Sequence, residues 1–216
     1  MKIENLSISY GENVVFENFN LDILDGKITC ILGRSGVGKT TLLRTIGGLL
    51  PNNSIRESVS YVFQDASLIE HLTIEENLGL LGYSKSEIIS GLQKVGLLEK
   101  INEYPNRLSG GEKQRVNIIR AFLKKRQVML LDEPFSQLDL PLKIELIKVL
   151  VELQKESKNT VIFVTHDIEV AIMLANNIVV LKHNKVAYSS EIGGNLPREY
   201  GSETQLRKQL AKIISE

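Results

Sequence analysis

The sequence predicts an α/β fold with a mainly parallel sheet and an inserted all-helical lobe. Three observations point there. Strand-like and helix-like stretches alternate in the first and last thirds of the 216 residues, two short apolar runs lack polar alternation, and only helical patterns recur between them. Alternating β and α segments favour parallel strands joined by helical crossovers. Apolar runs without alternation suit strands covered on both faces.

Ile3, Leu6 and Ile8 stand apolar among polar neighbours, and Phe19, Leu21 and Ile23 repeat a two-residue period, so both stretches read as strands. Asp25-Gly26 marks a turn before the apolar run Ile28 to Leu32. A glycine-rich loop follows, then a predicted helix from Thr40 to Leu50, stopped by Pro51-Asn52-Asn53. Val59 to Phe63 reads as a further strand. Thr73, with Glu76 three residues on, has the spacing of a capping box. Ser84–Val95 and Glu112–Lys125 add two more helical patterns. Strand and helix then alternate again: Val128–Asp132, Leu140–Glu156, Val161–Thr165, Ile168–Ala175 and Ile178–Lys182, followed by a short amphipathic helix over Glu203–Glu216. The expected organisation is one domain over 1–216, with 1–64 and 124–216 forming the α/β core and 65–123 the helical lobe.

Composition narrows the function. Lys plus Arg and Asp plus Glu each number 26, so the balanced charge argues against a nucleic-acid binder that relies on a bulk positive field. The single cysteine, Cys30, excludes an internal disulfide framework and a cysteine-rich zinc site. Apolar runs are short, as in Val128–Leu131, whereas a membrane-spanning helix needs roughly 20. The N-terminal stretch lacks the apolar core of a secretory signal. The chain is therefore expected to be soluble, in the cytoplasm.

The strongest chemical signal is Gly33-Arg34-Ser35-Gly36-Val37-Gly38-Lys39-Thr40, which fits G-x-x-x-x-G-K-[ST] between a buried strand and a helix. Glycines let successive backbone N–H groups curl around a phosphate chain, and the helix that follows turns its positive end toward the same anion. Lys39 suits the β- and γ-phosphates, and the Thr40 hydroxyl suits Mg²⁺. The nucleotide-contacting stretch is taken to extend to Thr41. In the second signal, four apolar residues from Val128 to Leu131 lead into Asp132 and Glu133. A buried strand that delivers Asp132 beside the phosphate loop can hold Mg²⁺ through water, and Glu133 can polarise an attacking water.

Leu108-Ser109-Gly110-Gly111-Glu112 lies between these two signals. The ordered set resembles the ATP-binding-cassette (ABC) ATPases, and the resemblance covers nearly the whole chain. Tyr10 is similar to the aromatic residue that stacks on adenine, Gln64 to the Q-loop glutamine, Ser136-Gln137-Leu138-Asp139 to the D-loop and His166 to the switch histidine. The resemblance implies a P-loop NTPase (RecA-like) core with a small antiparallel β-layer, shortened here between Pro51 and Val59. It implies ATP and Mg²⁺ as cofactors, with Thr40, Gln64 and Asp132 around the metal. Glu133 is expected to act as base, with Lys39, Gln64 and His166 as the other catalytic groups. Ser109, Gly110, Gly111 and Glu112 are expected to cap the ATP of a second copy, or of a paralogous ATPase subunit, in a head-to-tail dimer. Glu112 stands where glutamine is common, and Gln137 where alanine is.

The leading expectation is the ATPase subunit of a transporter. It would lie at the cytoplasmic face of the membrane and drive separate membrane-spanning subunits that dock around Ala66 to Leu72. A solute importer is nearest in pattern, with the anion importers closest by analogy. The alternatives are an ATPase for export or release of lipid-linked cargo, and a soluble ABC ATPase acting on nucleic acid or ribosomes. The charge balance disfavours the last, and no nucleic-acid partner is expected. A small-molecule kinase would leave the Ser109 segment unexplained.

Overall fold

The computed structural model describes residues 1–50, 58–65, 67–124, 126–136 and 138–215. Strands β1 (Lys2–Tyr10) and β2 (Asn13–Asp22) pair antiparallel as a separate two-stranded sheet, with Lys2 opposite Asp22 and Tyr10 opposite Asn13. The main sheet contains β3 (Ile28–Leu32), β4 (Val59–Val62), β5 (Val128–Asp132), β6 (Thr160–Thr165), β7 (Asn177–Lys182) and β8 (Lys185–Glu191), in the spatial order β4-β5-β6-β3-β7-β8. All neighbouring pairs run parallel except β7 with β8.

Both faces of this sheet are covered, which explains why β3 and β5 are apolar without alternation. Ile31, Leu130 and Val128 face a core shared with Phe16, Phe19, Leu21 and helix α1 (Lys39–Ile46). Cys30, Leu32, Met129 and Leu131 face the opposite core. That second core takes side chains from α2 (Ile74–Gly79), α3 (Lys85–Lys94), α4 (Gly110–Leu123), α5 (Leu140–Ser157), α6 (Ile168–Leu174) and α7 (Thr204–Ser215). Between β4 and β5 the described residues hold helices and turns only. Cys30 is fully buried, and burial pushes its thiol pKa well up, so it packs as a small apolar residue.

Local chemistry sets the helix boundaries. Thr73, Ser84 and Ser109 begin α2, α3 and α4 with reciprocal capping boxes to Glu76, Glu87 and Glu112. Helix α4 therefore starts two residues before the position its periodicity suggests. Helix α1 ends at Ile46 rather than Leu50, because Gly48 turns to φ +68° and the Leu49 N–H donates to the Arg44 carbonyl at 2.9 Å. The expected stop at Pro51-Asn52-Asn53, and the shortened stretch up to Glu57, lie outside the described residues. Strand β8 is an addition to the predicted elements, while α7 appears where the amphipathic pattern places it. No helix among the described residues is long and apolar enough to cross a membrane.

Candidate active site

The site forms where β3, β5 and β6 end, the edge at which parallel sheets present ligands. The loop after β3 depends on glycine at two close approaches. A Cβ on Gly33 would lie 2.7 Å from the Leu181 carbonyl oxygen, and one on Gly38 would lie 2.8 Å from the Phe16 ring, with Gly38 at φ +95°. Gly38 opens α1 with no side-chain cap and no acidic residue in the first turn. The first N–H groups of α1 thus remain as donors for an anion.

Lys39, only 6% exposed, folds its ammonium back to donate to the carbonyls of Gly33 (2.8 Å) and Arg34 (3.1 Å), and it lies 3.8 Å from Glu133 Oε1. Burial lowers its pKa, and the Glu133 charge opposes that shift. Next along the helix, the Thr40 hydroxyl donates to Asp132 Oδ1 at 2.9 Å. The other Asp132 oxygen accepts from the Tyr61 hydroxyl at 3.1 Å. Burial raises the Tyr61 phenol pKa, Asp132 adds to the rise, and Arg44 opposes it.

Glu133 leaves β5 with φ +47°, an uncommon conformation for a side-chain-bearing residue. Three hydrogen bonds hold it there: its N–H donates to Val164 O at 3.2 Å, and its carbonyl accepts from the Ser136 N–H at 3.2 Å and from Ser136 Oγ at 3.0 Å. Its carboxylate lies 3.1 Å from His166 Nδ1 at the end of β6. With the proton on Nδ1, the imidazole donates to Glu133 and leaves Nε2 as an acceptor. Gln64 follows β4 in an exposed loop anchored by α4. Asn117 Nδ2 donates to the Phe63 carbonyl at 3.3 Å, and Arg120 donates to the Ser67 carbonyl at 2.8 Å.

A cavity of about 420 Å³ gathers most of these groups: Tyr10, Ser35, Gly36, Gly38, Lys39, Thr40, Thr41, Gln64, Glu133 and His166, together with Val15 and Ser136. Gly33 and Arg34 contribute through the carbonyls that hold Lys39, while Asp132 sits behind Thr40 and Val37 packs against the core. Ser109, Gly110, Gly111 and Glu112 are not among the described residues that line it. They form a separate helix start, in which the Glu112 N–H donates to Ser109 Oγ at 3.2 Å and Glu112 Oε2 accepts from the Ser109 N–H at 2.7 Å. That bond from Ser109 holds the Glu112 pKa below the usual carboxylate value. Gln137 and Ala66 lie outside the described residues.

Sequence reasoning passed over three contacts. Val15 is one more apolar strand residue, and Ser136 stood only as part of a motif. Tyr61 was readable in principle, because it shares a strand face with the apolar residues that cover α1. The hard oxygens of Thr40 and Asp132 suit Mg²⁺. The described residues contain no group of three or more His, Cys, Asp or Glu able to hold a metal alone. Such an ion would need phosphate oxygens and water to complete its shell.

A phosphate-binding glycine loop, its lysine and hydroxyl, and two carboxylates at the end of the next strand but one define a P-loop nucleotide-binding protein. The family model described as "ABC transporter" matches residues 16–136. An iron(III) import ATP-binding protein of Fusobacterium nucleatum is 38% identical over 214 residues, covering 87% of this chain and 57% of that protein. The chain therefore spans little more than half of that relative. An aliphatic sulfonate import ATP-binding protein of Paracoccus denitrificans is 35% identical, covering 98% of this chain and 92% of the relative. Among solved structures, the dimeric post-hydrolysis state of the ATP-binding cassette MJ0796, bound to ADP and Pi, superposes with a TM-score of 0.76. It is 31% identical, and the match covers 90% of this chain and 99% of that one. The chain belongs to the ABC transporter family. It has the P-loop NTPase fold, binds ATP and is an ATPase of that family.

Proposed function

We propose that this chain is the ATP-hydrolysing subunit of a solute importer and works at the cytoplasmic face of the membrane on separate membrane-spanning subunits. The names of its relatives support import, with iron(III) and sulfonates as examples of what those proteins handle. The observation that carries the reading is the convergence of Lys39, Thr40, Glu133 and His166 on one cavity, with Asp132 bonded behind Thr40.

In this reading Tyr10 stacks on the adenine. The backbone N–H groups from Gly33 to Thr41 and the Lys39 ammonium hold the triphosphate. Thr40, Asp132 and Gln64 hold Mg²⁺, which supplies charge neutralisation at the phosphates when bound. Glu133 accepts a proton from the attacking water, its carboxylate fixed by the strained backbone and by His166. His166, held by Glu133 through Nδ1, acts as a positioning group beside the γ-phosphate.

The Ser109–Glu112 helix start is a second anion-binding surface, and a head-to-tail dimer would bring it to the ATP of another copy. ATP then joins the two copies, and loss of the γ-phosphate weakens the joint. The segment 65–123 serves as the lobe that meets the membrane subunits, with Ile69 exposed beside the Gln64 loop.

Glu133→Gln tests this reading, because it removes the base while preserving the shape. Light scattering of that variant with ATP should report a dimer that the nucleotide-free protein does not form. A monomer under those conditions would reject the shared site.

A further inference from the structure

Asp132 is 4% exposed, and each of its carboxylate oxygens has its own hydroxyl donor: Thr40 at 2.9 Å on Oδ1 and Tyr61 at 3.1 Å on Oδ2. Thr40 belongs to the nucleotide loop, whereas Tyr61 comes from the sheet. Strands β4 and β5 run parallel with Tyr61 level with Leu130. Side chains two residues apart share a strand face, so Leu130, Asp132 and Tyr61 point to the α1 side.

The Tyr61 ring is held from two directions. Its centroid is 4.5 Å from that of Phe63, and α1 approaches so closely that a Cβ on Gly47 would lie 3.1 Å from Tyr61 Cδ2. A ring fixed in this way presents its hydroxyl at one place. A carboxylate left with a free oxygen in so buried a position would turn or draw in water to satisfy it.

We propose that Tyr61 is a positioning residue for the divalent cation that accompanies ATP. Its hydroxyl anchors Asp132 Oδ2 and so aims Oδ1, beside the Thr40 hydroxyl, at the phosphate side. The proposal rests on the reading of Asp132 as the carboxylate of that cation. Partners behind a metal ligand typically change metal affinity by about 10–100 fold when removed.

Tyr61→Phe keeps the ring and deletes only the hydroxyl. Mn²⁺ serves as the probe, titrated by electron paramagnetic resonance into ATP-loaded protein carrying Glu133→Gln so that ATP persists. Adding Tyr61→Phe should weaken Mn²⁺ binding about tenfold. ATP affinity in EDTA should stay within about twofold, because the loop and Lys39 are untouched. In the chain with active Glu133, added Mg²⁺ should restore the turnover lost by Tyr61→Phe. Unchanged Mn²⁺ affinity would overturn the proposal, even with a lower melting temperature, because the hydroxyl would then serve packing alone. Asp132→Asn separates the two layers. If it too leaves Mn²⁺ binding unchanged, the reading of Asp132 falls. If it abolishes binding while Tyr61→Phe leaves Mn²⁺ affinity unchanged, only the role of Tyr61 falls.

Discussion

Helix α1 follows a glycine-rich loop and helix α4 carries two glycines in its own first turn, yet the two helix starts are built in opposite ways. Helix α1 starts from Gly38 without a side-chain cap or an acidic residue, and a buried lysine lies across its loop. Helix α4 starts from Ser109 with a complete capping box whose Glu112 carboxylate sits on the helix end. An uncapped N-terminus keeps its donors for a ligand and is stable only if the surrounding packing fixes it. Here Phe16 and Leu181 crowd the α1 loop from two sides. A self-capped N-terminus needs no ligand and can lie exposed until one arrives. The difference fits the proposed division, in which the α1 start binds nucleotide by itself and the α4 start closes over nucleotide already bound.

Removing the cation of the α1 site should have the largest effect. Lys39→Ala deletes the charge proposed to meet the β- and γ-phosphates and leaves Glu133 without its ion pair to Lys39 at 3.8 Å. ATP binding followed by fluorescence titration should become undetectable, and near-normal affinity would show that the helix end suffices without the lysine. Glu133→Gln should leave ATP binding intact while lowering turnover by about 10²–10⁴ fold, the range of a lost general base. An unchanged kcat would move the base to another group.

The α4 site should respond differently. Ser109→Ala should leave ATP binding to the single chain unchanged and reduce ATP-dependent dimer formation, measured in the Glu133→Gln background. A loss of ATP binding in the monomer would erase the distinction between the two helix starts. Glu112→Gln is subtler. Glutamine can still complete a capping box, but one negative charge disappears from beside an incoming phosphate. At about 5 Å in a watery setting that charge is worth about 0.8 kcal/mol at each of the two sites of a head-to-tail dimer, so the dimer should tighten about fifteenfold. The gain should shrink as salt is raised. A weaker dimer would mean that the carboxylate itself makes a favourable contact.

Much of the α1 site was legible in the sequence because its chemistry is local: the glycine spacing, Lys39 and Thr40 occupy one continuous stretch. The buried strand ending in Asp132 was equally plain, since apolar residues on both faces remove any alternation. What escaped depends on neighbours distant in sequence. Tyr61 reads as one more strand aromatic until β4 is laid beside β5. Strand β8 escaped because its residues are exposed or half-buried, so no buried stripe marks it. The end of α1 was misplaced because its apolar residues run on through Leu49 and Leu50, while Gly47 and Gly48 had already closed the helix. The motif at Ser109 was recognisable, but a single chain does not encode what its helix start will face.

A third helix start at the same end of the sheet, that of α6, gives the smallest test. Its N-cap is Asp167, one residue after His166, which accepts from the N–H groups of Glu169 (3.0 Å) and Val170 (3.3 Å) and from Lys143 Nζ at 2.9 Å. Burial alone would raise the Asp167 pKa, but the Lys143 ammonium and the backbone donors outweigh it and the net shift is downward. A carboxyl depressed in the folded state stabilises the protein above its unfolded pKa, and that contribution is lost as pH falls through the folded value. Asp167→Ala should therefore cost about 1 kcal/mol at neutral pH, seen as a melting temperature lower by about 2–4 °C. The gap between variant and wild type should begin to narrow below about pH 4, where the unfolded carboxyl protonates, and close as pH falls through the lower folded value. ATP affinity should not follow the melting temperature, because α6 is capped by its own residue whereas α1 reserves its end for phosphate. Affinity falling in step with stability would show that the two helix ends are coupled through His166 and Glu133.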